Sequence, residues 1–174
     1  MCNCEYCSTL TNHKRGVGII ILKKYIDNIY ILLILERFGS YKGQYNLSAG
    51  ARESDCFLQN SLRELNEETK ININYPSTLF DLHFRNKSGN ITHFDFNGTP
   101  HLIGYFQQLN INILNLKISQ SILDDNLTDC YKEAQCVQWF DINTKISIDN
   151  TLPYAPLSTY ASSLLENLKN ELQI

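Results

Sequence analysis

A cluster of carboxylates with one arginine stands near the middle of the chain. Arg63, Glu64, Glu67 and Glu68 fall within the stretch RELNEE. If this stretch is helical, each residue turns by about 100°, and the glutamates share an arc of roughly 100°. The apolar residues of the same helix form a narrow stripe on a different side, which we expect to be buried: Leu58, Leu62 and Leu65. Like charges held so close raise one another's pKa unless something positive neutralises them. A hard divalent cation with oxygen ligands, Mg²⁺ or Mn²⁺, fits that need.

For a Glu-rich helix in general, a solvated acidic face is the ordinary interpretation. The wider pattern here is more specific. The segment RELNEETKI begins at Arg63, and the loop LSAG before it ends at Gly50. Together they resemble the signature of the Nudix hydrolase family: Gly, five residues, Glu, seven residues, then Arg-Glu-apolar-x-Glu-Glu-x-Gly-apolar. The resemblance is near-complete over residues 50–71.

The sequence departs from that signature at three places. Asp55 stands where the family has its upstream Glu, eight residues before Arg63. The loop between Gly50 and Asp55 is one residue short. Lys70 replaces the late glycine, which gives up the easy left-handed backbone geometry of Gly at a helix end. None of the three changes removes a clustered glutamate.

The resemblance implies hydrolysis of a diphosphate linkage with Mg²⁺ or Mn²⁺. Glu64, Glu67 and Glu68 match the family's metal-binding glutamates, and Gly50 matches the glycine whose carbonyl joins the metal shell. Arg63 matches the signature arginine, which we expect to orient carboxylates. A simple i,i+4 ion pair with Glu67 is the other interpretation of Arg63, and the two are compatible.

A further acid and three substrate contacts are expected outside the signature. Glu133 stands six residues before Trp139, which resembles the position of the family's late acid. It is a candidate general base or second-metal ligand, with Asp129 as the alternative. For substrate binding we expect stacking by an aromatic residue near the loop and phosphate contacts by two cations; these candidates are Tyr45, Lys42 and Arg52.

The whole chain predicts one domain at residues 16–174, preceded by a polar, cysteine-rich leader at 1–15. A net charge of −3 argues against general binding of nucleic-acid phosphates. The leader has no apolar signal-peptide core, and no apolar run is long enough to span a membrane. We therefore expect a cytoplasmic, reducing location with free thiols. The leader also contains four soft ligands for a possible Zn²⁺ site, Cys2, Cys4, Cys7 and His13.

The expected elements position the signature between strands. Strands are predicted at 16–22, 29–38, 101–109 and 133–141, with a helix at 56–69 and a second at 153–172. The second helix is predicted from apolar residues that repeat at helical spacing: Leu157, Tyr160, Ala161, Leu164, Leu165 and Leu168. Further strands are predicted within 71–82, 81–87 and 91–96. This order is not a strict alternation of strand and helix, so it favours a mixed α+β arrangement over a doubly wound parallel sheet. The resemblance implies the same class: an α/β/α sandwich with a mixed β-sheet.

Three functions remain open from the sequence. The first is hydrolysis of a small nucleoside diphosphate derivative. The second is the same chemistry on a capped RNA end or a diphosphoinositol phosphate. The third is a Nudix-like module that binds a nucleotide or a protein without hydrolysis. The sequence leaves the oligomeric state undetermined.

Overall fold

A computed structural model describes residues 16–25, 27–51, 57–69, 94–96, 99–107, 134–147 and 154–172. Within these ranges lie seven strands and two helices. The strands are β1 (Gly16–Tyr25), β2 (Asn28–Glu36), β3 (Tyr45–Asn46), β4 (Ser48–Ala51), β5 (Phe94–Phe96), β6 (Thr99–Gln107) and β7 (Ala134–Asp141); the helices are α1 (Phe57–Thr69) and α2 (Thr159–Leu172).

The first two strands form a hairpin that is paired only near its turn. The register runs from Tyr25 opposite Asn28 to Leu22 opposite Ile31. Beyond that point the two strands separate. The first half of β1 pairs with β4, and the second half of β2 pairs with β3. The β3–β4 segment is therefore inserted between the separated arms of the hairpin.

The remaining strands make the sheet mixed. β6 pairs with β1 in parallel, whereas β5 pairs with β6 and β7 pairs with β2 in antiparallel orientation. The order along the sheet is β3-β2-β1-β6-β5, with β4 on β1 and β7 on β2. The predicted mixed sheet is confirmed.

The two helices lie on opposite faces of this sheet. Helix α1 packs against Gly50, which pairs with Val17 of β1. The next residue of β1, Gly18, faces His101, whose ring lies 6.2 Å from that of Tyr160 in α2. Because successive strand residues point to opposite faces, α1 and α2 cover different sides. The expected α/β/α sandwich is confirmed.

The core fills the space between these layers. Apolar side chains of β1, β2 and β7 are buried together with the inward face of α2. The predicted helical repeat in α2 is confirmed at Ala161, Leu164, Leu165 and Leu168, all fully buried. No helix in the described ranges is long and apolar enough to cross a membrane.

Two predicted features differ most from the structure, whereas the predicted ends of the described strands β1, β2 and β6 differ by three residues or fewer. Helix α2 begins at Thr159 rather than at residue 153, because the segment before it pairs with β3. The Tyr45 N–H donates to the Pro156 carbonyl at 2.9 Å, and the Ser158 N–H donates to the Tyr45 carbonyl at 2.8 Å. The turn expected at residues 47–50 is largely strand β4, which pairs with β1 from Ser48 onward.

Other predicted features lie outside the described residues. These are the leader at 1–15 and the strands predicted within 71–82 and 81–87. Of the strand predicted at 91–96, the described part is β5 (Phe94–Phe96), and residues 91–93 lie outside the described ranges. The helix predicted at 56–69 is observed as Phe57–Thr69.

Candidate active site

Helix α1 buries polar side chains on the face that packs against the sheet. Residues spaced by four form two neighbouring ridges, and the buried members are Asn60, Ser61, Glu64, Leu65, Glu68 and Thr69. Glu64 is 6% exposed and Glu68 is 3% exposed. The sequence predicted the glutamates on a side distinct from the buried stripe, and that prediction was wrong for these two.

Arg63 connects two of the three glutamates. Its Nη2 lies 2.6 Å from Oε1 of Glu64, and its Nη1 lies 2.9 Å from Oε2 of Glu67. The Arg63 side chain is about one quarter exposed, whereas the Glu64 side chain is nearly enclosed. Charge-assisted bonds from both arms of the guanidinium fix the two carboxylates relative to each other. The orienting position and the i,i+4 pair expected for Arg63 are both present.

Gly50 brings strand β4 into contact with the carboxyl group of Glu64. A Cβ atom built on Gly50 would overlap the carboxyl carbon and both oxygens of Glu64. The Glu64 carboxylate therefore occupies the space where a side chain at position 50 would lie. The Glu64 carboxylate thus lies directly against the backbone of β4.

The donor chemistry of this site suits a hard cation. Glu64, Glu67, Glu68 and the Gly50 carbonyl offer only oxygen, the ligand type that Mg²⁺ and Mn²⁺ prefer. In the part of the chain that the structure describes, no three His, Cys, Asp or Glu side chains are grouped closely enough to hold one metal ion. The described residues therefore provide oxygen donors of the right type, but their side chains do not surround a single metal position.

Two buried hydroxyl groups at the same interface were missed by sequence reasoning. Ser48 of β4 is 5% exposed and Ser61 of α1 is fully buried. Neither hydroxyl has a hydrogen-bond partner within the described ranges. Strand alternation could have identified Ser48, because it lies two residues before Gly50, but the sequence predicted a turn there.

Tyr45 does not form the predicted substrate contact. It is 1% exposed, its ring packs edge-to-face against Phe140 at 4.8 Å, and its hydroxyl accepts a hydrogen bond from Gln138 at 2.8 Å. Stacking on a base needs an accessible ring face, so the prediction for Tyr45 was wrong. Tyr45 is a core residue.

The other predicted site residues remain predictions. Lys42 is exposed in the turn between β2 and β3, where its N–H donates to the Gly39 carbonyl. Arg52, Glu133 and Asp55 lie outside the described residues. The same is true of Lys70, Asp129 and the four leader ligands, Cys2, Cys4, Cys7 and His13.

Comparison with known proteins defines the fold. Neither a family model nor a curated protein matches this sequence. Among solved structures, the chain is similar to the Nudix domain of Shewanella oneidensis NrtR complexed with ADP ribose (13% identity, 99% of each chain covered, TM-score 0.50). It is also similar to a C. elegans Ap4A hydrolase binary complex (14% identity, 91% of this chain and 98% of that chain, TM-score 0.51). A third similar structure is the Nudix hydrolase RenU of M. smegmatis (12% identity, 90% and 83% covered, TM-score 0.54).

Taken with the sheet topology and the position of α1, these likenesses show that the chain has the Nudix fold. At 12–14% identity they describe architecture. Function must be argued from the site itself.

Proposed function

We propose that this protein hydrolyses a diphosphate linkage in a nucleoside diphosphate derivative, with Mg²⁺ or Mn²⁺ as cofactor. The observation that carries the proposal is the contact of the Glu64 carboxylate with Gly50, held by the guanidinium of Arg63. On a Nudix fold, this contact joins the acidic helix to the strand that precedes the signature loop. A helix with a solvated acidic face would not bury two of its glutamates.

The proposed roles follow from the positions of the side chains. Glu64, Glu67 and Glu68 would hold the cation together with the Gly50 carbonyl. A cation bound there would offset the charge of the diphosphate, polarise phosphorus and lower the pKa of a bound water. Arg63 fixes the angle between two of the carboxylates, so little rearrangement is needed during reaction.

The proton of the attacking water needs an acceptor. We assign this role to Glu133, on the sequence resemblance alone, because general-base catalysis contributes roughly 10²–10⁴-fold in rate. Lys42 and Arg52 are proposed to contact phosphate oxygens. Two of the similar structures support a nucleotide-type substrate, since one is complexed with ADP ribose and another is an Ap4A hydrolase.

A substrate panel tests the proposal. Purified protein is incubated with Mg²⁺ or Mn²⁺ and, in turn, nucleoside triphosphates, nucleotide sugars, dinucleotides, diphosphoinositol phosphates and capped RNA. We expect metal-dependent product from a nucleoside diphosphate derivative, abolished by EDTA and reduced at least a hundredfold in Glu68→Gln. Glu166→Gln is the matched control, because Glu166 is an exposed glutamate of α2 that pairs with Lys145.

The products decide between the enzymatic alternatives. Two monophosphates, or monophosphate plus pyrophosphate, identify a small nucleotide substrate. A methylated guanosine diphosphate identifies RNA decapping, and inorganic phosphate from a diphosphoinositol identifies the inositol substrate. The last two outcomes would contradict the proposed substrate class while keeping the proposed chemistry.

A non-catalytic nucleotide- or protein-binding module is the second candidate. It is motivated by the departures from the family signature, which are Asp55, Lys70 and the short loop before Asp55. Absence of product from the whole panel, with nucleotide binding equal in wild type and Glu68→Gln, would support it over the hydrolase.

A further inference from the structure

Ser48 presents a buried hydroxyl that no described residue satisfies. The residue is 5% exposed, and its Oγ has no hydrogen-bond partner among the described residues. Leaving a buried polar group without a partner destabilises the folded state. Such a group in a folded protein calls for a partner outside the chain or an ordered water.

The direction of this hydroxyl is set by strand β4. Ser48 and Gly50 are two residues apart in the same strand, so their side-chain directions share one face of the sheet. The Cβ direction of Gly50 points at the carboxylate of Glu64. Ser48 therefore faces the layer that contains α1 and its buried glutamates.

A second hydroxyl lies on the facing helix. Ser61 is fully buried in α1 and also has no partner in the described part of the chain. It precedes Glu64 by three residues, which places both side chains on the same side of the helix. Two unsatisfied hydroxyls thus belong to the two elements that the Gly50–Glu64 contact joins.

Buried hydroxyls elsewhere in the fold are satisfied. The Ser158 hydroxyl is fully buried, accepts from the Ala161 N–H at 2.9 Å and donates to the Asn46 Oδ1 at 2.8 Å. The Thr69 hydroxyl, in α1 itself, donates to the Leu65 carbonyl. Among the buried hydroxyls of the described residues, the two without a partner therefore both lie at the β4–α1 interface.

We propose that Ser48 is a ligand-binding residue whose hydroxyl donates a hydrogen bond to an oxygen of a bound diphosphate. The inference rests on the proposed function, because it places the diphosphate beside Glu64 and Gly50. It adds a specificity-determining group on the strand side of the site. The sign of the stability effect distinguishes this role from a structural one.

The test compares Ser48→Ala with Ser158→Ala by thermal unfolding and calorimetry. In EDTA we expect Ser48→Ala to be as stable as wild type or more stable, because no hydrogen bond of the free protein is lost. With Mn²⁺ and methylene diphosphonate, we expect Ser48→Ala to bind the diphosphonate about tenfold to a hundredfold more weakly, the range for a hydrogen bond to a charged group. Its affinity for Mn²⁺ alone should stay within twofold.

Ser158→Ala should behave in the opposite way. It loses a helix cap, so its stability falls in EDTA while diphosphonate affinity stays within twofold. A loss of stability for Ser48→Ala in EDTA would overturn the inference, since the hydroxyl would then have a structural or water partner. Unchanged affinity of Ser48→Ala for the diphosphonate would also overturn the inference. So would a weaker affinity of Ser48→Ala for Mn²⁺ measured in the absence of diphosphonate.

Wild-type protein separates this inference from the proposed function. If wild type binds Mn²⁺ and diphosphonate but Ser48→Ala binds them equally well, only the role of Ser48 is wrong. If wild type binds neither probe, both the metal-dependent hydrolase and the Ser48 contact are overturned.

Discussion

The glutamates of α1 are unusual at the residue scale because two of them are buried. Glu64 and Glu68 are more than nine-tenths enclosed, and carboxylates are rarely so buried unless paired. Arg63 supplies a positive partner for Glu64 and for the more exposed Glu67. Burying charge costs stability, so this arrangement is better explained by function than by folding.

Replacement of Gly50 tests the strand side of this arrangement. In Gly50→Ala the new methyl group collides with the end of a flexible side chain, so we expect the Glu64 carboxylate to move and the fold to persist. Turnover or Mn²⁺ affinity should fall at least tenfold, while the melting temperature changes little. Steady-state kinetics and thermal unfolding measure the two effects. If Gly50→Ala and Glu64→Gln combine with fully additive losses, the two residues do not act through one contact.

Replacement of Arg63 tests the helix side. Lysine keeps the charge in Arg63→Lys but loses the two-armed guanidinium, so it cannot hold Glu64 and Glu67 together. We expect metal affinity or turnover to fall roughly 10- to 100-fold, the range for residues that orient metal ligands. Lys169→Arg, at a partly buried position of α2 beside Glu166, is the control. Activity of Arg63→Lys within threefold of wild type would argue against an orienting role.

Part of this site was predictable from the spacing of residues alone. The pattern RELNEE predicted the helix, the three candidate donors and the Arg63–Glu67 pair. It did not predict that Glu64 and Glu68 face the sheet. Helical spacing shows which residues share a side of the helix, but not which side packs against the sheet. Tyr45 was misassigned for a related reason. The position of an aromatic residue near a loop does not reveal whether its ring is buried or exposed.

At the scale of elements, the short β3–β4 segment determines where the site forms. It leads directly into the signature loop and is held along β2, along β1 and against residues 156–158. The Asn46 amide accepts from the Ser158 hydroxyl and donates to Glu36 Oε1 at 3.4 Å. The N-terminus of α2 is therefore fastened to the strand that precedes Gly50.

Removal of the α2 cap should weaken this attachment. Ser158→Ala loses the hydrogen bond to the Ala161 N–H and leaves the Asn46 carbonyl oxygen without its donor. We expect a loss of about 1–2 kcal/mol in the free energy of unfolding, measured by urea denaturation. Ser163→Ala, at an exposed position of the same helix, should change it by less than about 0.5 kcal/mol. Equal effects of the two substitutions would contradict the capping role.

The elements differed in how far the sequence predicted them. Long periodic segments were predicted well, because β1, β2, α1 and α2 each carry a sustained apolar pattern. The start of α2 was misplaced, since Leu157 fits the helical repeat although it pairs beside Tyr45. A two-residue strand such as β3 is too short to show a periodic sequence pattern. It can be recognised only from its pairing with other strands.

At the scale of the whole molecule, the sheet combines near and distant segments of the chain. β1 pairs with its neighbour β2 and with the distant β6, and β2 pairs with the distant β7. The sequence predicted the mixed class but not this order, because pairing between remote strands leaves no local pattern. The order of the predicted elements and the family resemblance both indicated the mixed class, and neither was used to predict the order of strands in the sheet.

The buried thiol of Cys136 makes the stability of the molecule depend on pH. Burial raises the pKa of Cys136 above its ordinary value, and the hydrogen bond with Tyr45 offsets only part of that rise. The thiol's contribution is therefore present below the ordinary thiol pKa and is lost as the pH rises through the folded value. We expect wild type to lose more stability than Cys136→Ala between pH 7.5 and pH 9.5, as measured by urea denaturation. Equal losses would show that the thiol does not titrate differently on unfolding.

The separated β1–β2 hairpin also has a consequence for the order in which the protein folds. Its turn brings together residues that are neighbours in sequence, so this end can form early, with a small loss of chain entropy. The β3–β4 segment pairs with the far ends of both arms, closing a short loop on β2 and a longer one on β1. The distant strands β6 and β7 close the longest loops. By loop length alone, the strand that carries Ser48 and Gly50 would dock after the hairpin turn and before the distant strands complete the sheet.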